Sequence, residues 1–557
     1  MHYSILYACH LESELDITTY FDNLLGVCFD IGIIYFICYT FFWRNSKLAA
    51  SICFITTWLW SLSNVIYSRF FYHYLSLSAI EQGGVLTEKL IIRCIVDSLK
   101  ISDIYYIVVA TLFFFVVTKL QSINKKWAWR NITLILFISI ITDISVHAAY
   151  CLFEPQYRYA SYFMHRMYLK HIATHRTWSQ QNLAHFIRGN IRTICGDLII
   201  NHQSTVVLSS DQVKQIIEEA SKSQRNISGQ VILTPKNIIF IIVESYMSFT
   251  SDLKVNGKEI TPFLNSLKKR TNVYYNGNMK ENVTIGESSD GQFIYMTGIL
   301  PLQNDVTVSK VRRVAIPGLP KIIGRESRMI IPTTTSVWNQ DEMCRQYGFD
   351  HLYTRDDYKS AIESDLNDKQ VFDLAAQKDN ASHTPFFSVI LTMSMHGPYT
   401  EQIDQSFLLS SSSLSKELLC YLNSCHYTDH QIKLYFDHLI KSGLLDNSLI
   451  IISADHRVHK SDFAEINKHI PLYIINANGL PENMWQGECN QLDVFTTLLD
   501  LLGCQKKWFG LGLSLLSPNY EDSITDKTWN VSEWIINGDF FSKSNIYKPS
   551  LTKNEKE

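Results

Sequence analysis

The sequence predicts an α/β body with a largely parallel central sheet covered by helices on both faces, preceded by an N-terminal transmembrane helix bundle. Three observations predict it. Apolar runs of bilayer length are confined to the first part of the chain, short Ile/Val-rich runs alternate with helical stretches from Asn237 onward, and two of those runs end in acidic residues. A chain of 557 residues also exceeds what one hydrophobic core usually supports.

Four segments are long and apolar enough to cross a bilayer: Leu24 to Trp43, Leu48 to Tyr67, Ile101 to Val117 and Ile132 to Phe153. Arg44 and Lys47 separate the first two, and Lys119, Lys125, Lys126 and Arg130 separate the last two. The positive-inside rule places both basic loops in the cytoplasm, and therefore everything after Phe153 outside. No cleavable signal pattern precedes the first span, so the bundle is read as a retained anchor. The outward segment from Ser68 to Lys100 suits either a helix lying on the membrane surface or a solvated loop. Asp30, Asp143 and His147 fall within the spans and are read in two ways, as polar groups satisfied inside the bundle or as part of a proton or substrate path.

Residues 154–234 read as a juxtamembrane connector. His165, Arg166, Lys170, His171, His175, Arg176, Arg188 and Arg192 make its first part basic, as suits contact with lipid headgroups, and Gln212 to Ser223 is patterned as an amphipathic helix. The formal net charge is −3 and no Lys/Arg run is sustained, so nucleic acid is not an expected partner. The twelve cysteines form no CxxC framework, and Cys420 and Cys425 are close enough in sequence to bridge in an oxidising compartment.

Residues 235–520 carry the α/β pattern, with 521–557 as a C-terminal extension. Strands are expected at Ile238 to Val243, Met329 to Ile331, Phe386 to Thr392, Leu449 to Ser453 and Leu472 to Ile475, all short and rich in apolar residues as buried parallel strands are. Helices are expected at Thr261 to Lys269, Ser415 to Ser442 and Gln491 to Leu502. Ligands of open α/β sheets bind at the carboxyl ends of the strands. Glu244 ends the first strand and Asp455-His456 ends the fourth. Between them, Gly286-Glu287-Ser288-Ser289-Asp290-Gly291 is a Gly-flanked hydroxyl segment entering a helix, whose N-terminal N–H groups can hold a phosphate. Glu244, Ser288, Asp455 and His456 together offer three oxygens and one nitrogen to a single divalent cation, and such a cation activates a serine nucleophile. The donor set suits Mn(II), Zn(II) or Mg(II).

Val243-Glu244-Ser245, Gly257 to Asn265, Gly286 to Phe293, Trp338-Asn339, Gly348-Phe349-Asp350, His396-Gly397-Pro398-Tyr399, Asp455-His456 and Gln491-Leu492-Asp493 follow one another in an order that resembles the lipoteichoic acid synthases and related membrane phosphoglycerol transferases of the alkaline phosphatase/sulfatase superfamily. The resemblance spans residues 237 to about 517, and Asn64 to Phe71 looks like the end of the family's second span. It implies an alkaline phosphatase-like catalytic domain lying outside a bacterial-type cytoplasmic membrane. It further implies Glu244, Ser288, Asp455 and His456 as metal ligands, Ser288 as nucleophile, and His396 as a pocket histidine that assists proton transfer. Trp338, Asn339 and His396 are implied in substrate binding, and manganese is the favoured metal.

The implied reaction moves a phosphoglycerol-type headgroup from a phospholipid donor to an envelope glycan, lipid or polymer acceptor. This chain departs from the family at Gln340, where the synthases have an arginine after Trp-Asn, and in lacking a histidine between Asp290 and Trp338. Those departures keep phosphoethanolamine transfer open as the alternative, followed by a phosphodiesterase. A sulfatase is disfavoured because Ser288 is followed by neither the Pro nor the Arg of a formylglycine motif. His459 and His469 are expected in supporting or structural positions.

Overall fold

The structure is a computed structural model that describes residues 17–42, 45–71, 99–119, 207–227, 231–303, 306–312, 314–358, 365–459, 461–504, 507–518, 520–521 and 524–543. The fourth expected span, with Asp143 and His147, lies outside the described residues. So do the basic part of the connector and most of the Ser68 to Lys100 segment. The chain divides into two compact units, Met1–Ser204 and Thr205–Glu557.

The first unit contributes helices α1 (Ile17–Phe41), α2 (Ser46–Phe71) and α3 (Ile104–Lys119). Cys38 and Tyr39 of α1 pack on Ala49 and Cys53 of α2. Trp58 donates its indole N–H to the Tyr106 carbonyl at 3.0 Å, and Phe54 stacks on Phe113 with ring centroids 3.8 Å apart, which joins α2 to α3. Ile104, Ile107, Leu112 and Phe115 are exposed, an arrangement that suits hydrocarbon better than water. Asp30 and Asn64 are buried. Among the described residues one helix, Lys47–Ser68, is long and apolar enough to cross a membrane, and Asp30–Phe41 and Ile104–Val117 are shorter apolar helices.

The second unit begins with α4 (Ser210–Arg225), started by a capping box in which Ser209 accepts from Gln212 N–H while the Gln212 side chain accepts from Ser209 N–H. This amphipathic helix, read from sequence as part of the connector, packs against α11 (Asp526–Gly538). Val531, Ile535, Ile536, Phe540 and Phe541 are buried in the main core, so residues 526–543 are part of the domain itself.

The sheet has eight strands: β1 (Asn237–Val243), β2 (Val273–Lys280), β3 (Glu326–Ile330), β4 (His351–Tyr353), β5 (Phe386–Leu391), β6 (Ser448–Ala454), β7 (His469–Asn476) and β8 (Cys489–Asn490). Their order is β8-β2-β7-β6-β1-β5-β3-β4. β1 lies between β6 and β5, parallel to both, and every residue of β1, β5 and β6 is buried. This explains why these three strands read as continuous apolar runs, since both faces are covered.

One strand expectation is corrected, and three strands, β2, β4 and β8, were not announced by the sequence. β7 was expected to be parallel but runs antiparallel to both β6 and β2, because the connection from β6 carries no crossover helix. β2 was not expected, because Asn276-Gly277-Asn278 reads as a turn; the register shifts between Asn276 and Met279, and the strand absorbs these residues as an irregularity. The helices α5 (Pro262–Leu267), α8 (Asp368–Asn380), α9 (Lys416–Lys441) and α10 (Asp493–Leu501) flank the sheet, and α9 is started by Ser415, whose hydroxyl accepts from Leu418 N–H at 3.0 Å. Cys420 and Cys425, both on α9, are buried free thiols, so the possible bridge between them is not made.

Thr261 supplies no side-chain cap to α5; Asp429 of α9 does so instead, accepting from Phe263 N–H at 3.0 Å and Leu264 N–H at 2.8 Å. Replacing Asp429 with Ala leaves two N–H groups without their acceptor. We expect this to cost about 1–3 kcal/mol, with Asp429→Asn costing less because its amide oxygen still accepts. Denaturant unfolding of the two variants measures the difference.

Candidate metal and nucleophile site

The register of β1 against β6 creates the site. Ile242 lies opposite Ser453 and Val243 opposite Ala454, so the next residue of each strand, Glu244 and Asp455, leaves the sheet at the same edge. Asp455 N–H donates to the Val243 carbonyl at 3.3 Å, continuing the ladder one step beyond the strand ends. The chain then turns sharply at Ser245, whose φ is 51°. Ser245 N–H donates to Asp455 Oδ1 at 2.9 Å and its hydroxyl donates to Glu244 Oε1 at 2.6 Å, binding the two carboxylates into one unit.

Helix α6 (Ser288–Thr297) brings the nucleophile candidate to this edge. Tyr295 Oη donates to the Ala454 carbonyl at 2.7 Å, fixing the helix against the end of β6. Gly291 makes the close approach possible, because a Cβ there would stand 2.3 Å from the Asp455 carbonyl oxygen. At the helix start Glu287 has φ 42° and ψ −112°, a strained conformation for a residue with a side chain. Asp290 holds this entry in place, its Oδ2 accepting from Thr284 N–H at 3.0 Å, Thr284 Oγ1–H at 2.8 Å and Gly286 N–H at 2.9 Å. Burial pushes the Asp290 carboxyl up, to about 6.

The result is a tight cluster. Ser288 Oγ is 3.1 Å from His456 Nε2 and 3.4 Å from Glu244 Oε2. His456 Nε2 is in turn 3.6 Å from Glu244 Oε1 and 3.6 Å from Asp455 Oδ2. Nδ1–H of His456 donates to the Arg457 carbonyl at 2.7 Å, which leaves Nε2 as the nitrogen directed at the cluster. One ligand atom from each of Glu244, Asp455 and His456 can be chosen so that all lie within 4.8 Å of one another.

The electrostatics of the cluster fit a cation. Burial pushes the Asp455 carboxyl up and the neighbouring Glu244 carboxylate pushes it further, to about 7. Burial lowers His456, but Asp455, Glu244 and Glu287 outweigh it and lift the imidazole to about 10. Among the described residues no Lys or Arg pairs with Glu244 or Asp455. A divalent ion is the group that lets both carboxylates stay ionised and the imidazole stay neutral, and two carboxylates, one imidazole and a hydroxyl are a donor set for it.

His396 lies after β5 at an exposed position, near enough to His456, Asp455 and Glu287 for their charges to act on it. Its Nδ1–H donates to the Gly397 carbonyl at 2.6 Å. Trp338 and Asn339 are half-buried and make no hydrogen bond or ion pair with the metal cluster. Both adopt left-handed backbone conformations, with φ of 53° and 52°, before α7 (Gln340–Tyr347). Gln340 is buried and donates from Nε2 to Gln292 Oε1 at 3.0 Å, one turn beyond Ser288 on α6, so a neutral amide stands beside the nucleophile helix.

Several supporting residues escaped the sequence reading. Glu281, just after β2, accepts from Arg457 N–H at 2.7 Å, Arg457 Nε–H at 2.9 Å and His459 Nε2–H at 2.7 Å, and so holds the segment that follows Asp455-His456. Thr392 Oγ1 accepts from Glu244 N–H at 3.0 Å, and Gln491 Nε2–H donates to the Asp455 carbonyl at 2.7 Å. Gln491 belonged to a visible motif, whereas Glu281 follows a strand that the sequence did not announce. The histidines expected in supporting positions divide: His459 stacks on His456 with centroids 5.4 Å apart, and His469 pairs with Glu488 at 3.2 Å.

With this geometry in view, comparison with known proteins identifies the class. The sulfatase family matches residues 236–504. Residues 236–504 thus carry a sulfatase-family domain, and the chain as a whole is lipoteichoic acid synthase-like. It is 23% identical to the lipoteichoic acid synthase of Staphylococcus aureus (strain USA300), over 97% of this chain and 85% of that protein. Among solved structures it is similar to the lipoteichoic acid synthase LtaP from Listeria monocytogenes, at 18% identity and a TM-score of 0.49 over 60% of this chain and 98% of that one. It is also similar to the Streptococcus pyogenes phosphoglycerol transferase GacH in complex with sn-glycerol-1-phosphate, at 15% identity and a TM-score of 0.43 over 62% and 99%.

Two outcomes test the site as a built unit. Gly291→Ala forces α6 away from the Asp455 backbone, and isothermal titration with Mn(II) is expected to show affinity reduced on the order of tenfold or more. For Glu281, burial alone would raise the carboxyl, but His459 and Arg457 outweigh it and hold it at about 2, below its ordinary 4.5. Its contribution to stability is therefore present above its unfolded value and lost as pH falls towards its folded one. Denaturant midpoints of wild type and Glu281→Gln are expected to differ most near neutral pH and to converge in acid.

Proposed function

We propose that this chain is a membrane transferase that moves a phosphorus-linked headgroup from a phospholipid donor to an envelope acceptor through a covalent phosphoryl-serine on Ser288. The observation that carries the reading is the placement of Ser288 Oγ at the start of α6, within 3.4 Å of both a buried imidazole and a buried carboxylate. It is an enzyme of the phosphoglycerol/phosphoethanolamine transferase type. Glu244, Ser288, Asp455 and His456 would hold one divalent cation, with manganese favoured and zinc or magnesium possible. When bound, the ion supplies a lowered pKa for the serine hydroxyl and polarises the phosphoryl oxygen.

In the first half-reaction Ser288 Oγ forms a bond to phosphorus and the bond from phosphorus to the diacylglycerol oxygen breaks. The serine proton leaves, and diacylglycerol departs after gaining one. His396 is assigned to move that proton. In the second half-reaction an acceptor hydroxyl forms the new bond to phosphorus, the Ser288 ester breaks, and the serine regains its proton. Trp338 and Asn339, held in strained backbone conformations, are assigned to headgroup binding. The N-terminal helices form a multi-pass anchor of about four spans in a bacterial-type cytoplasmic membrane, with residues 235–520 outside it. That anchor confines the site to the surface where donor lipid is concentrated.

The transferred group is read as phosphoglycerol-type. Phosphoethanolamine is the second reading, and it is favoured by the neutral Gln340–Gln292 amide pair, since a headgroup with its own cation has less need of a guanidinium. Use of water as acceptor would make the same site a phosphodiesterase.

Ser288→Ala is expected to abolish both the phosphoryl adduct, followed by intact-protein mass spectrometry, and diacylglycerol release from vesicles of phosphatidylglycerol and phosphatidylethanolamine. Unchanged release in that variant overturns the assignment. Removal of bound metal with a chelator is expected to stop turnover, and manganese to restore it better than zinc or magnesium; metal analysis that finds no cation bound defeats the metal assignment.

A further inference from the structure

We propose that Asp368 is the positioning residue of His396, fixing the backbone on which the imidazole is presented to the reaction. The inference rests on the transferase reading above and on the part His396 takes in it.

Asp368 is the first residue of α8 and is fully buried. Its Oδ1 accepts from Met393 N–H and Ser394 N–H, each at 2.8 Å. Oδ2 accepts the Thr428 hydroxyl proton at 2.6 Å, and Asp368 N–H donates to Ser394 Oγ at 2.9 Å. The carboxylate is not required as the helix cap, because Asn367 already forms a capping box with Gln370. Among the described residues no Lys or Arg pairs with it. A buried carboxylate without a cationic partner is costly, and here it is held by three hydrogen-bond donors, two of them on the loop that leads to His396.

That loop is anchored at two points. Thr392 is tied to the backbone of Glu244, and the next two residues, Met393 and Ser394, are tied to Asp368. His396 N–H donates to the Met393 carbonyl at 2.9 Å, closing a turn, so fixing residue 393 fixes the backbone of 396. Beyond it, Tyr399 Oη donates to the Met395 carbonyl at 3.0 Å, and its ring packs on Tyr421 and Phe463. Asp368 therefore fixes the backbone that carries His396 without touching the imidazole or Ser288. A displacement of about 1 Å at a reacting group can lower a rate on the order of a hundredfold.

The test is a double-mutant cycle on the full chain, reading release of fluorescent diacylglycerol from mixed vesicles of phosphatidylglycerol and phosphatidylethanolamine. His396→Ala and Asp368→Ala are each expected to lower kcat by about a hundredfold with little change in KM. The double variant is expected to be no worse than the poorer single one. Asp368→Asn keeps an oxygen for the two N–H groups and is expected to recover most of the rate. Losses that multiply in the double variant, or an Asn variant as impaired as the Ala variant, overturn the proposal. Where Asp368→Ala does not fold, the cycle is run with Asp368→Glu, whose longer arm displaces the loop, and losses that multiply in the double variant, or an Asn variant as impaired as the Glu variant, overturn the proposal. Wild-type kcat in His396→Ala overturns the reading of His396 and this inference with it, whereas Ser288→Ala tests the transferase reading by itself.

Discussion

Two buried carboxylates brought side by side at the ends of adjacent parallel strands are the constraint on which the rest of this structure depends. The pairing of β1 with β6 places Glu244 beside Asp455, and like charges in a buried position repel. Ser245 ties the two carboxylates together with its N–H and its hydroxyl, and His456 turns one nitrogen towards them. A site that concentrates negative charge in this way suits a divalent cation, and such a cation would activate a hydroxyl set beside it.

The surrounding elements serve that arrangement at very short range. Helix α6 comes so close to Asp455 that only a glycine fits at 291, and the chain enters the helix through a strained Glu287. Asp290, Glu281, Thr392 and Gln491 each accept or donate a hydrogen bond that fixes backbone next to a candidate ligand or the candidate nucleophile. The candidate ligands lie just beyond strand ends, and buried polar side chains on the scaffold fix the backbone there.

Much of this was legible in the sequence. Strands buried on both faces must be apolar throughout, so β1, β5 and β6 announced themselves, and the polar residue ending such a run is conspicuous: Glu244 and Asp455-His456 were visible for that reason. Ser288 was visible through its flanking glycines and the helix that follows. β2 was not, because its Asn-Gly-Asn looks like a turn and only pairing with β7 holds it extended. Glu281 and Asp368 were hidden for a different reason. An acidic residue after a strand or at a helix start is commonplace, and its meaning lies in partners far away in sequence, Arg457 and His459 for one and the loop before His396 for the other.

The sequence by itself determined the order of elements, the apolar N-terminal segments and the residue types from which a metal-assisted phosphoryl transfer is proposed, since periodicity and motif order are local properties of a chain. The tertiary structure alone decided that β7 runs antiparallel, that Cys420 and Cys425 stay unbridged, that residues 526–543 join the core, and that Glu244, Asp455 and His456 gather with ligand atoms within 4.8 Å of one another while Ser288 Oγ stands 3.1 Å from His456. Each of these depends on strand register and on contacts between distant segments, and such contacts exist only once the chain has closed on itself.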